Sequence, residues 1–131
     1  MRLLLLLSAL LFWHCQPNPY RDGEALYKSQ CANCHMDKGT GLSGLIPTLV
    51  QSDYLQTHRA TLPCALRYGL RDTIVVNGKT FAEQMPAHPT LSEIDIANVL
   101  NFVNHSWGND NPPYSLEEVK EALQQCAAER K

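Results

Sequence analysis

Cys31-Ala32-Asn33-Cys34-His35 constrains this chain more than any other run in it. Two thiols three residues apart, with an imidazole directly after the second, form the C-x-x-C-H pattern of covalent haem attachment. The spacing has a chemical reason. At a helix end, each sulfur reaches one vinyl group of the same porphyrin, and His35 comes to lie beneath the iron as an axial ligand. Three other uses compete. A zinc site needs a further tight ligand, and the next sulfur, Cys64, stands alone instead of in a second C-x-x-C. A thioredoxin-like redox pair needs a βαβ setting that the neighbouring sequence lacks. Structural thiols so arranged by chance are the third.

An iron held from one side leaves the other side to be filled or open. Of the three methionines, Met1 belongs to the leader and Met36 adjoins His35, too close to pass around a porphyrin. Met85 remains, between Gln84 and Pro86 in a polar, turn-rich segment where a core-filling methionine is not expected. His58, His88 and His105 are rival ligands, each otherwise read as a surface histidine, with His88 the nearest competitor. Met/His ligation raises the reduction potential relative to a pair of histidines, and filling both axial positions discourages oxygen chemistry. Electron transfer is the expectation. A haem peroxidase or gas-sensing domain, with an open distal site, is the alternative from another class, and a zinc-binding module is a third.

The chain starts with a leader. Arg2 is followed by an apolar run from Leu3 to Trp13, shorter than the roughly 20 residues that span a bilayer, so residues 1–14 read as an export signal. Leu11-Phe12-Trp13-His14-Cys15 resembles the tail of a bacterial lipoprotein signal, in which Cys15 becomes the lipidated first residue. His14 and Trp13 are bulkier than is usual there, and an uncleaved anchor or other processing is the alternative. An acylated Cys15 would hold the protein on a membrane surface, at the periplasmic side of a bacterial membrane; without it the protein would be soluble in the periplasm. Residues 15–21, with Pro17 and Pro19, read as a tether. Removing residues 1–14 takes away only Arg2 among charged groups and leaves ten basic against thirteen acidic residues, a net charge of −3. Nucleic acid, which calls for a basic face, is thereby disfavoured.

Residues 22–131 fit one domain. A helix is expected from Asp22, as its cap, to about Cys31; a loop follows, marked by Gly39, Gly41, Gly44 and Pro47. Short helices are expected over Asp53 to His58 and Cys64 to Tyr68, the second entered at Pro63 and closed by Gly69. Thr73 to Val76 and Lys79 to Phe81, joined by Asn77-Gly78, read as a two-stranded ribbon. Ser92 with Asp95 opens the clearest helix, whose apolar positions Ile96, Val99, Leu100, Val103 and Trp107 recur at helical spacing. Ser115 with Glu118 opens an added last helix over 115–128, with Leu116, Val119, Leu123 and Cys126 on its apolar face. The class is all-α. A domain this small with two long Gly/Pro-rich loops has few side chains for a core, and a buried porphyrin would supply the missing apolar surface.

From Asp22 to Trp107 the chain resembles a class I cytochrome c. The matching residues are Gly23-x-x-x-Tyr27 ahead of Cys31-x-x-Cys34-His35, then Pro47, Met85-Pro86, and Leu91-Ser92-x-x-Asp95-Ile96. The resemblance implies the cytochrome c fold around one covalent haem c. It also implies that Gly23 lets the first helix cross closely over the late helix, with Tyr27 packed near Leu100. The Pro47 carbonyl would accept a hydrogen bond from the other ring nitrogen of His35, the contact that orients such a ligand. Implied partners are a respiratory complex, a terminal oxidase or reductase, or a periplasmic dehydrogenase.

Five cysteines divide into two for haem, Cys15 for lipid, and Cys64 with Cys126 left over. In an oxidising compartment two leftovers suggest a disulfide pinning the last helix to the body. Two buried free thiols are the other reading.

Overall fold

The structure, a computed structural model describing residues 18–129, is mostly helical with one small antiparallel ribbon. The leader over 1–14, Cys15 and the start of the tether lie outside the described residues. In chain order come α1 (Arg21–Gln30), α2 (Ala32–His35), α3 (Asp53–Thr57), α4 (Leu62–Tyr68), β1 (Ile74–Val76), β2 (Lys79–Phe81), α5 (Glu93–Asn104) and α6 (Leu116–Glu129). The ribbon pairs Ile74 with Phe81 and Val76 with Lys79 across the Asn77-Gly78 turn. Asn77 and Asp53 exchange bonds, each backbone N–H donating to the other's side-chain oxygen at 2.7 and 3.0 Å, and so tie the turn to α3.

The entry of α1 differs from the sequence expectation. The helix starts at Arg21, and Asp22 sits inside its first turn without capping it. Asn18 organises the entry instead. Its side-chain oxygen accepts from the Tyr20 N–H at 3.0 Å and its carbonyl from Arg21 at 3.3 Å. Asp22 and Glu24 in the first turn, with Lys28 in the last, still match the helix dipole. At α5 the capping box closes in both directions: Ser92 Oγ accepts from Asp95 N–H at 3.2 Å, and Asp95 Oδ2 from Ser92 N–H at 2.8 Å. Ser115 and Glu118 repeat the arrangement at α6. Trp107 does not belong to the apolar stripe of α5. The helix ends at Asn104, and Trp107, at φ 52°, turns its ring against Gly39 in the loop after the cysteine motif.

Two dockings define the body. In the first, α1 lies against α5. A Cβ on Gly23 would fall 2.1 Å from the Asn98 carbonyl oxygen and 2.8 Å from Phe102 Cβ, so the helices meet backbone to backbone there. Below that point Tyr27, Phe102 and Trp107 pack ring against ring, with centroids 5.0–5.4 Å apart. The core continues through Ile96, Leu100 and Val103. In the second docking, α6 buries Val119 and Leu123 against α4 and α5. Arg59 holds its entry, donating to the carbonyls of Pro112 (2.6 Å) and Pro113 (2.9 Å) and to Glu118 (3.0 Å), while its guanidinium lies 3.9 Å from the centre of the Tyr114 ring. The Tyr114 hydroxyl donates back to the Arg59 carbonyl at 2.7 Å. Further along, the sulfurs of Cys64 on α4 and Cys126 on α6 lie 2.10 Å apart, at bonding distance.

Gly23→Ala is expected to destabilise the fold by about 1–3 kcal/mol, because backbone on both sides resists the added methyl; chemical unfolding of the mature protein measures it. Glu118 gives a pH test. The Ser115 N–H, then Arg59, hold its carboxyl down from 4.5 to about 2. A carboxylate with a depressed folded pKa contributes stability above its unfolded pKa and loses it as pH falls through the folded one. The stability gap between the protein and Glu118→Gln should therefore be constant above pH 4.5 and close as pH falls to about 2. Acid unfolding curves of the pair check this.

Candidate functional site

α1 runs directly into the cysteine motif. The Cys31 N–H still donates to the Tyr27 carbonyl at 2.8 Å, and the N–H groups of Cys34 and His35 donate back to the Cys31 carbonyl at 3.1 and 2.9 Å. Those bonds wind Ala32–His35 into one further turn, α2, which Met36 ends at φ 62°. The Tyr27 hydroxyl donates to the Met36 carbonyl at 2.6 Å, so the buried ring of α1 pins the far end of the motif. Burial, then the negative charge that Cys31 and Asp37 would carry nearby, push the Tyr27 phenol up, which keeps it a donor.

Beside α2 opens a concave, largely apolar cavity of the kind that ligands occupy. Its walls are predominantly apolar. Tyr27 comes from α1, Leu55 from α3, Leu62, Ala65 and Leu66 from α4, Val76 from β1, and Val99 and Leu100 from α5. Cys31, His35, Pro47 and Met85 line the same space. The loop bearing Pro47 is held in shape by Asn109, whose amide donates to the carbonyls of Leu49 (2.7 Å) and Val103 (2.9 Å) and whose oxygen accepts from Ser52 (3.2 Å).

Burial pushes the Cys31 thiol up to about 11, with the neighbouring Cys34 adding to the effect, so Cys31 faces the cavity as a neutral thiol. Cys34 is exposed, and both sulfurs are free. Burial lowers the His35 pKa below 6.5; the Pro47 carbonyl acts in the opposite direction and His88 adds to the lowering. His35 Nδ1 is buried and closes no hydrogen bond of ordinary geometry, so the Pro47 carbonyl influences the ring without reaching bonding alignment. A neutral imidazole, two free thiols and apolar walls suit a large flat metal complex attached through sulfur.

The other sequence candidates separate. His58 is exposed and stacked on Tyr54, centroids 3.7 Å apart. His105 is stacked on Tyr20 at 4.6 Å and bonded to the Asn101 carbonyl. Neither lines the cavity, nor does His88, although it acts electrostatically on His35. Among the described residues no group of three or more His, Cys, Asp or Glu gathers as a metal cluster, which leaves Cys31, Cys34 and His35 without the further ligands of a zinc site. The cavity walls and Asn109 escaped the sequence reading. They carry no motif, and only the apolar character of the α4 and α5 positions hinted at the walls.

The family described as cytochrome C oxidase, cbb3-type, subunit III matches residues 18–103, covering α1 through most of α5. The chain belongs to this family of c-type cytochromes. It is similar to cytochrome c-552 of Thermus thermophilus, 34% identical over 125 residues that cover 84% of this chain and 95% of that protein. A second similarity is to the cytochrome c subunit of a quinone alcohol dehydrogenase from Gluconobacter oxydans. There the identity is 34% over 94 residues, covering 69% of this chain and 19% of that subunit. The fold is accordingly the mostly helical cytochrome c fold, here with a small ribbon and the added α6. The cofactor of this cytochrome is covalent haem c. The protein is an electron carrier rather than an enzyme, and it exchanges electrons with redox proteins. Its family is one of exported or periplasmic proteins. Among the described residues no helix is long and apolar enough to cross a membrane.

Proposed function

We propose that one haem is bonded through Cys31 and Cys34, with its iron held by His35 and Met85, and that the protein carries single electrons from a periplasmic dehydrogenase or respiratory complex to a terminal oxidase or reductase. The observation that carries this reading is that His35 and Met85, from distant stretches of chain, line one apolar cavity that none of the rival histidines lines. When bound, the iron porphyrin supplies the one-electron couple. The chain's own residues do the rest. Cys31 and Cys34 would fix the ring at the end of α1, and the nearby Pro47 carbonyl acts to raise the basicity of the His35 ring. Met85 would supply a second iron ligand, which would raise the potential and exclude oxygen. The apolar walls limit solvent reorganisation as charge changes.

The dehydrogenase as donor is suggested by the name of the Gluconobacter relative, and the oxidase as acceptor by the name of the family. Residues 1–14 would be the export signal and Cys15 the lipid-bearing first residue, keeping the electron carrier on the periplasmic face of a membrane. In that oxidising compartment Cys64 and Cys126 would form a disulfide.

Met85→Ala is expected to abolish the long-wavelength sulfur-to-iron band of the oxidised protein and to let the reduced protein bind carbon monoxide. It should also lower the potential by on the order of 0.1 V, a modest part of the roughly 0.8 V that axial ligands span. Equal carbon monoxide binding by variant and parent would remove Met85 from the ligand set and favour an open-site haem protein. For the attachment, Cys31→Ala/Cys34→Ala should yield protein whose pigment is extracted by acidic acetone, where the parent retains it.

A further inference from the structure

We propose that the end of α4, clamped to α6 through Cys64 and Cys126, is what retains Met85 at its place, so that Gly69, Cys64 and Cys126 are positioning residues for the distal ligand. The proposal rests on the reading of Met85 as that ligand.

The stretch from Gln84 to Pro89 is mostly exposed, and two of its residues, Pro86 and Pro89, have no N–H to give. Its backbone bonds to distant parts of the chain lead to one place. Met85 and Leu70 exchange N–H···O bonds in both directions, at 2.9 and 3.0 Å, and the His88 N–H donates to the Leu66 carbonyl at 2.9 Å. Between those anchors stands Gly69, at φ 78°, where a Cβ would lie 2.6 Å from the Met85 carbonyl oxygen and 3.0 Å from Ala87 N. The methionine backbone therefore rests directly on the helix end, and only a residue without a side chain permits it.

α4 has seven residues, about two turns, too few to hold itself firmly. Leu62, Ala65 and Leu66 of this helix are also cavity wall, so its position sets both the wall and the methionine. Its covalent fastening is Cys64, placed between those wall residues and bonded to Cys126. α6 has fastenings of its own in the Arg59 contacts and in its packing on α5, so cutting the sulfur link leaves α6 docked and leaves α4 held by side-chain packing alone. A thioether is a weak ligand, and its release follows the local opening of the segment that presents it.

Imidazole added to the oxidised holoprotein reads that opening, because it binds iron only where Met85 has left. Cys64→Ser/Cys126→Ser is expected to bind imidazole about tenfold more tightly than the parent, the factor given by about 1.4 kcal/mol of lost local stability. Gly69→Ala should do the same with the disulfide intact. Mature holoprotein reduced with a dithiol and alkylated, which does not depend on the variants folding, should match the double variant. Gly23→Ala, which loosens the α1–α5 crossing instead, should leave imidazole affinity within about twofold of the parent. Unchanged affinity in the disulfide-free proteins, or an equal rise in Gly23→Ala, overturns the clamp while leaving Met85 as ligand. A parent that lacks the sulfur-to-iron band and binds imidazole as Met85→Ala does overturns the ligand assignment itself.

Discussion

The arrangement of this molecule depends on the close approach of α1 to α5 at Gly23. A helix crossing without intervening side chains brings Tyr27 into the core formed by α5, where its ring contacts Phe102 and Trp107. The same ring fixes the motif by its hydroxyl bond to Met36. Cys31 ends α1 and Cys34 and His35 follow in α2, so where α1 lies determines where the cysteine motif is presented. A methyl group at the crossing would cost stability, because rigid, close-packed neighbours cannot absorb it.

Around that crossing, irregular segments complete the cavity, and polar side chains give them shape. Asn109 ties the Pro47 loop to the end of α5, the Asp53–Asn77 pair ties the ribbon to α3, and Arg59 ties the entry of α6 to the α3–α4 connection. These bonds satisfy backbone groups that loops cannot pair among themselves. The result is a stiff apolar container assembled largely from short elements, suited to a cofactor whose environment should change little between oxidation states.

Chemistry and architecture agree on a restrained role. The cavity is lined by the Cys31 thiol, the His35 imidazole and the Met85 thioether among apolar side chains, groups suited to attachment and ligation of a metal complex. That is the economy expected of a carrier in which the cofactor performs the redox step and the fold sets access and potential.

What the sequence determined by itself was local. The C-x-x-C-H run, both capping boxes, the Asn77-Gly78 turn and the Pro63 and Gly69 limits of α4 are written within a few residues each, and backbone sterics and hydrogen bonding decide them with little outside help. The start of α1 and the place of Trp107 depart from the sequence expectation for the converse reason. Periodicity cannot sense that Asn18 supplies the entry bonds, or that a ring one turn past Val103 finds a better surface on Gly39. Only the tertiary structure decided which side chains wall the cavity, that Met85 faces it while His88 does not, and that Cys64 meets Cys126. Those are meetings between segments far apart in the chain, and their geometry comes from the packing of whole helices, which no short run of residues encodes.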